Sequence, residues 1–188
     1  GNNVDISVNA SPIQAAELLR DVLWGSCYAS VVTSATLRAL GSFQTLQRET
    51  GIPDFAHFMT VAGAFDYQQA AVIRVPADAV EGNQADAHTR YIIDHFAEYE
   101  EPHCGTLVLF SSRRQMEQVY DDLSSELQKN ILIQGQLSNR EMVRLHKERI
   151  DQGRTSVLMG LASFAEGVDL PGDYCRHVVI AKLPFAVP

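Results

Sequence analysis

The densest chemistry in the chain lies in thirteen residues, Gly160-Leu161-Ala162-Ser163-Phe164-Ala165-Glu166-Gly167-Val168-Asp169-Leu170-Pro171-Gly172. The carboxylates of Glu166 and Asp169 flank Gly167, and Ser163 adds a hydroxyl upstream. The apolar tetrad Ser156-Val157-Leu158-Met159 before them is short enough for a buried strand. The spacing predicts a turn at Gly160, at most one helical turn, and a second turn at Gly167, where glycine lets the backbone approach a ligand closely. A loop at the end of a strand in an α/β domain is where ligands usually bind.

Two further segments carry hydroxyl groups at strand ends. Thr33-Ser34-Ala35-Thr36-Leu37 follows a run of small and β-branched residues, and Leu107-Val108-Leu109-Phe110 runs into Ser111-Ser112. Such hydroxyls exchange hydrogen bonds with a neighbouring acid and a phosphate-bound water, or bond their own backbone in a turn. Taken in chain order, the three segments resemble motifs III, IV and V of superfamily 2 helicases, in the DinG/XPD-like branch. The string S-F-A-E-G-V-D-L-P-G, Ser163 to Gly172, is the most specific part of that resemblance, which runs from about Ser11 to the C-terminus.

The resemblance implies a division of the chain. Residues 1–40 would be the remnant of a first motor domain ending in motif III. Residues 41–188 would be a second, RecA-like motor domain, truncated before motif VI. Ser34, Ala35 and Thr36 would sense the nucleotide state and couple it to DNA movement. Glu166, Gly167 and Asp169 would face the nucleotide cleft. Ser111, Ser112, Arg113 and Ser163 would lie along the backbone of a single strand. Phe65-Asp66-Tyr67 resembles a further family segment, with Gly63-Ala64 in place of its Ser-Pro.

The intact protein would couple ATP hydrolysis to single-strand translocation and duplex unwinding in repair or replication, with 5′ to 3′ polarity usual in this family. ATP and Mg2+ are its implied cofactors, with room for an iron–sulfur cluster in the other motor domain. Single-stranded or forked DNA and the first motor domain are its implied partners. No catalytic residue is expected within this chain. It has no G-x-x-x-x-G-K-[ST] loop and no D-E-A-H-like box, so alone it is not expected to bind or hydrolyse ATP.

Composition bounds these expectations. The 188 residues suffice for one domain with a sizeable core, and 46% are apolar. No apolar run approaches the roughly 20 residues that span a bilayer, and the N-terminus lacks a basic-then-apolar leader pattern, so no membrane partner and a cytoplasmic location are expected. Cys27, Cys104 and Cys175 are scattered and lack C-x-x-C spacing, which argues against a metal or disulfide framework. A net charge of −8 argues against a strong free-standing nucleic-acid binder. It still allows a motor subdomain that touches a strand at a few points.

The elements that must position these residues follow from pattern. Ser11-Pro12-Ile13-Gln14 reads as a helix start with Leu18, Leu19, Val22 and Leu23 on one face and Gly25 at the stop. Strands are predicted at Cys27–Val32, Ala71–Val75, Thr106–Phe110, Ile131–Ile133, Ser156–Met159 and, buried, His177–Ala181. Helices are predicted over Ser42–Glu49 with Gly51 ending it, His88–Tyr99, from Ser112 through Leu127, and from Ser138. Ser112-Arg113-Arg114-Gln115 and Ser138-Asn139-Arg140-Glu141 match capping boxes. Arg140, Arg144 and Lys147 share a helix face. That row suits a phosphate track or a salt-bridged solvated face, and the nearby Glu141, Glu148 and Asp151 favour the second.

Strand and helix alternation implies right-handed crossovers and a mostly parallel sheet with helices on both faces: an α/β fold, RecA-like on the resemblance. Two other readings compete with the helicase reading. A non-catalytic nucleic-acid or protein binding module would keep the fold without the motor. A dinucleotide enzyme needs G-x-G-x-x-G after a strand, and Gly160 to Gly167 has the wrong spacing.

Overall fold

A computed structural model describes residues 14–63 and 65–183. The expected helix start at Ser11, Pro12 and Ile13 and the end of the Lys182-Leu183-Pro184-Phe185 exit lie outside these residues. The chain divides into two compact units, residues 1–72 and 73–188.

In the first unit, α1 spans Ala16–Leu19 and continues as a wider π-helical turn, Arg20–Trp24. Helix α2 spans Gln44–Thr50 and ends at Gly51, whose φ of 66° is the left-handed cap conformation. The short α3, Tyr67–Ala70, is capped by Asp66, whose carboxylate accepts from the Gln68 N–H. The indole N–H of Trp24 donates to the Thr50 carbonyl at 2.7 Å, tying α1 to the end of α2. The rings of Phe43 and Phe58 stack at 5.0 Å.

The strand expected at Cys27–Val32 does not form, and neither does the one at Ala71–Val75. Both have β-branched composition, but neither meets a ladder partner among the described residues. Tyr28, Val31, Val72 and Ile73 are exposed instead. A strand's backbone is satisfied only by a neighbour, so propensity alone does not make one.

The second unit holds the sheet. Helix α4, Ala85–His95, runs into a 3-10 turn, Phe96–Tyr99. Strand β1 is Gly105–Phe110, followed by α5, Arg113–Asp122, and the separate short α6, Ser125–Gln128. Leu127 of the expected long helix thus belongs to α6, which has its own cap at Ser124. Strand β2, Ile131–Ile133, leads to α7, Asn139–Asp151. Strand β3, Ser156–Leu161, is followed by the single turn α8, Ala162–Ala165, a 3-10 turn at Gly172–Tyr174, and β4, His177–Ile180.

The four strands are all parallel, in the order β2-β3-β1-β4. Alternation along each strand divides the core. Val108, Phe110, Ile131, Ile133, Val157 and Met159 meet Ile92, Phe96, Met116 and Val119 of α4, its 3-10 extension and α5. Leu107, Leu132 and Leu158 meet Met142 of α7 and Phe164 of α8. Each large side chain withdrawn from water contributes about 1.5–3 kcal/mol. This sandwich is the expected RecA-like layering.

Two details differ from the sequence expectation. Strand β3 does not stop at Met159 but runs through Gly160 to Leu161. Gly160 is needed for space rather than for a turn: a Cβ there would sit 2.8 Å from Cβ of Phe164. Strand β4 is an edge strand, not a buried one. It pairs with β1, and Val178 and Ile180 are each about half exposed on the face opposite Val179, which packs against the core.

Candidate nucleic-acid and nucleotide interface

In a parallel sheet all strands deliver their following loops to one edge. Phe110 of β1 lies in register with Leu161 of β3, so Ser111 and Ala162 leave neighbouring strand ends. Ser111, Ser112 and Arg113 are exposed there. Ser112 caps α5, its hydroxyl accepting from the Gln115 N–H at 3.4 Å. The Gln115 side chain turns away from the cap to His88 and Thr89, so the expected capping box is only half made. Arg113 stands 3.9 Å from Glu117. Across the edge, Ser138 caps α7 through the Glu141 N–H.

The loop after β3 is held at its start. Gln134, just past β2, accepts from the Leu161 N–H through Oε1 at 2.9 Å, and its own N–H donates to the Met159 carbonyl. Phe164 is buried beneath the α8 turn, leaving Ser163 exposed. Gly167 then turns with φ of 91°. Glu166 and Asp169 are exposed, and neither carboxylate has a hydrogen bond or ion pair among the described residues.

Against this loop lies one face of α7. Asn139, Arg140, Val143, Lys147, Gly167, Val168 and Asp169 line an open cavity of about 340 Å3. The basic row on α7 is therefore not uniform. Arg144 is engaged by two acids: Glu141 at 2.8 Å and Glu148 at 2.9 Å. These bonds raise the Arg144 pKa and hold the Glu141 carboxyl below its usual range. Arg140 has no such partner, and Lys147 lies over the ring of Tyr174 at 5.2 Å. The salt-bridged account fits Arg144, whereas Arg140 and Lys147 line the cavity beside Asp169.

Of the residues singled out in the sequence, the structure gathers Gly167 and Asp169 at this cavity, with Glu166 and Ser163 beside them and Ser111–Arg113 at the adjoining strand end. Ser34, Ala35 and Thr36 lie in the first unit and form an exposed turn. Ser34 Oγ accepts from the Thr36 N–H and sits 3.2 Å from Thr36 Oγ1. Sequence reasoning missed Gln134, His146 and Tyr174. His146 carried a signal, since it falls four residues from both Met142 and Ile150 on the buried stripe of α7. Gln134 and Tyr174 carried none.

Among the described residues no group of three or more His, Cys, Asp or Glu stands together as a metal site. No helix among them is long and apolar enough to cross a membrane.

The parallel sheet with helices on both faces presents a Gly-rich acidic loop at its carboxyl edge, an arrangement that agrees with the RecA-like fold of helicase C-terminal domains. Residues 97–188 match the helicase C-terminal domain family. The whole chain is 39% identical to the ATP-dependent DNA helicase DinG of Photobacterium profundum, covering 28% of that protein. It is 36% identical, over 92% of its length, to the DinG helicase of Escherichia coli K12, covering 25% of that protein. Residues 97–188 are thus similar to helicase C-terminal domains, and the chain along its length is similar to part of the DinG helicases. It spans about a quarter of the length of the curated relatives it matches.

Proposed function

We propose that the chain is part of an ATP-dependent DNA helicase that couples ATP hydrolysis to single-strand translocation and duplex unwinding in DNA repair or replication in the cytoplasm. The observation that carries this reading is the cavity where Gly167 and Asp169 face Arg140 and Lys147 at the carboxyl edge of the sheet. Cations there attract a phosphate chain, and the free carboxylate responds to a charge change across a cleft.

In this reading Glu166, Gly167 and Asp169 face the nucleotide held mainly by the first motor domain, which supplies the lysine loop and the Mg2+ carboxylate. Any iron–sulfur cluster belongs to that domain as well. Ser111, Ser112, Arg113 and Ser163 contact the backbone of single-stranded or forked DNA, positioning it without reading sequence. Ser34, Ala35 and Thr36 report the nucleotide state. Residues 1–40 close the first motor domain, and 41–188 form the second. Within residues 1–40, the exposed Val22, Tyr28 and Val31 support a large partner, the rest of the first motor domain.

The chain alone lacks the phosphate-cradling loop and does not hydrolyse ATP. The test is made on the intact helicase that contains it. Asp169→Ala is expected to impair DNA-stimulated ATP hydrolysis and unwinding together. Wild-type rates for both would remove Asp169 from the coupling path.

A further inference from the structure

The loop that carries Glu166 and Asp169 is free in its middle and fixed at two anchors. Upstream, Phe164 is buried with Leu107, Leu132, Met142 and Leu158. Downstream, the anchor is Tyr174, which α7 grips in three ways. His146, fully buried, donates from Nε2 to the Tyr174 carbonyl at 2.7 Å. Lys147 covers the Tyr174 ring. Asp151 accepts from the Tyr174 hydroxyl at 2.8 Å. The other ring nitrogen of His146, Nδ1, accepts from Ser156 Oγ at 2.8 Å, which fixes the tautomer that donates to Tyr174. Strand β1 leaves room for this junction only because residue 105 is glycine. A Cβ there would collide with the Tyr174 carbonyl oxygen and approach His146 Nε2.

Lys147, whose ammonium lies over this ring, is also one of the residues that line the cavity with Asp169. A buried polar cluster of this kind is costly unless every partner is satisfied, and here both imidazole nitrogens are. We propose that His146 and Tyr174 are positioning residues that hold the Gly167–Asp169 loop and Lys147 in the geometry needed to couple ATP turnover to the DNA strand. The proposal rests on the motor reading of that loop. Its rationale is that a free loop keeps its place only through its anchors, and a displacement of about 1 Å can cost on the order of 100-fold in rate.

The test uses the intact helicase with four variants: His146→Leu, His146→Gln, Tyr174→Leu and Asp169→Ala. Melting curves identify a temperature at which each preparation is folded. There, His146→Leu and Tyr174→Leu are expected to lower kcat for DNA-stimulated ATP hydrolysis by about tenfold or more, with KM for ATP changed less than about twofold. His146→Gln keeps an N–H that can reach the Tyr174 carbonyl and is expected to recover most of the loss. A role in stability alone would lower the melting temperature and leave kcat of the folded protein intact, which overturns the proposal. Equal impairment by Gln and Leu also overturns it. If His146→Leu fails to fold, the half-exposed Tyr174→Leu decides by itself. Asp169→Ala separates the two readings: if it is impaired while the anchor variants are normal, only the positioning proposal fails. If it is normal, the loop reading fails and the proposal with it.

Discussion

The side chain of Gln134 reaches from the end of β2 to the backbone N–H of Leu161, accepting its hydrogen bond at 2.9 Å. The last residue of β3 extends beyond the three residues that β2 pairs with, so its N–H on that side has no strand partner. Gln134 takes the place of the missing strand and fixes where the acidic loop departs. Replacing it by Leu strands a half-buried donor, at a cost of about 1–3 kcal/mol. Urea unfolding of the chain is expected to show a lower midpoint with an unchanged slope. An unchanged midpoint would mean that water replaces the amide.

Gly160→Ala tests the packing beneath the loop. The added methyl would press on Cβ and the ring of Phe164, a side chain with only 1% exposure and no room to yield. Over-packing of this kind costs about 1–3 kcal/mol. The paired change Gly160→Ala with Phe164→Ala removes Cγ and the ring from the clash, so its cost should fall short of the sum of the two single changes. A cost equal to that sum would show that the strain lies elsewhere.

Stability should depend on pH through His146. Burial pushes its imidazole below the ordinary 6.5, outweighing the bond to the Tyr174 carbonyl, and Arg149 and Lys147 push the same way. The unfolded chain therefore binds a proton near pH 6.5 while the folded chain still refuses it. Below that pH stability falls, because the unfolded state binds more protons than the folded one. The contribution is present in full above pH 6.5 and is lost as pH falls from there toward the depressed folded value. His146→Gln removes the titrating group, so the difference in unfolding midpoint between the two proteins should shrink or reverse on acidification from pH 7.5 to 5.5. Parallel profiles would contradict the assignment.

The three cations of α7 should separate in DNA binding by the intact helicase. Arg144 is satisfied by Glu141 and Glu148, whereas Arg140 and Lys147 line the cavity. Arg140→Ala and Lys147→Ala are expected to weaken single-strand binding and to lower the salt slope by about 0.7 per lost phosphate contact. Arg144→Ala should leave that slope unchanged and cost little stability, since its pairs are exposed. Titrations at several salt concentrations distinguish the three, and equal slopes for all would assign the row to solvent.

Much of the second unit was legible in the chain itself. Leu107–Phe110, Ile131–Ile133 and Val157–Met159 are apolar runs too short for helices, and Met116, Val119 and Leu123 recur at helical spacing. The serine caps at 112 and 138 and the turn at Gly167 follow from local stereochemistry. These features are encoded within a few residues and need no partner to be recognised. The family likeness rested on the string from Ser163 to Gly172 for the same reason.

What only the tertiary structure decided was everything that depends on a neighbour distant in sequence. Cys27–Val32 and Ala71–Val75 have strand composition but no strand, because a ladder needs a second chain segment. Val178 and Ile180 of β4 are apolar yet half exposed, because which face of this strand is covered depends on helices distant in sequence and not on its own residues. Arg140, Arg144 and Lys147 are indistinguishable as spaced cations. Two glutamates claim Arg144, while the loop from Gly167 to Asp169 arrives beside the other two. His146 and Tyr174, 28 residues apart, meet only because α7 and the turn before β4 pack on the same face of the sheet. Sequence determines which groups exist and which local turns they favour. Folding decides which are desolvated and which charges are already neutralised, and both are properties of contacts rather than of residues.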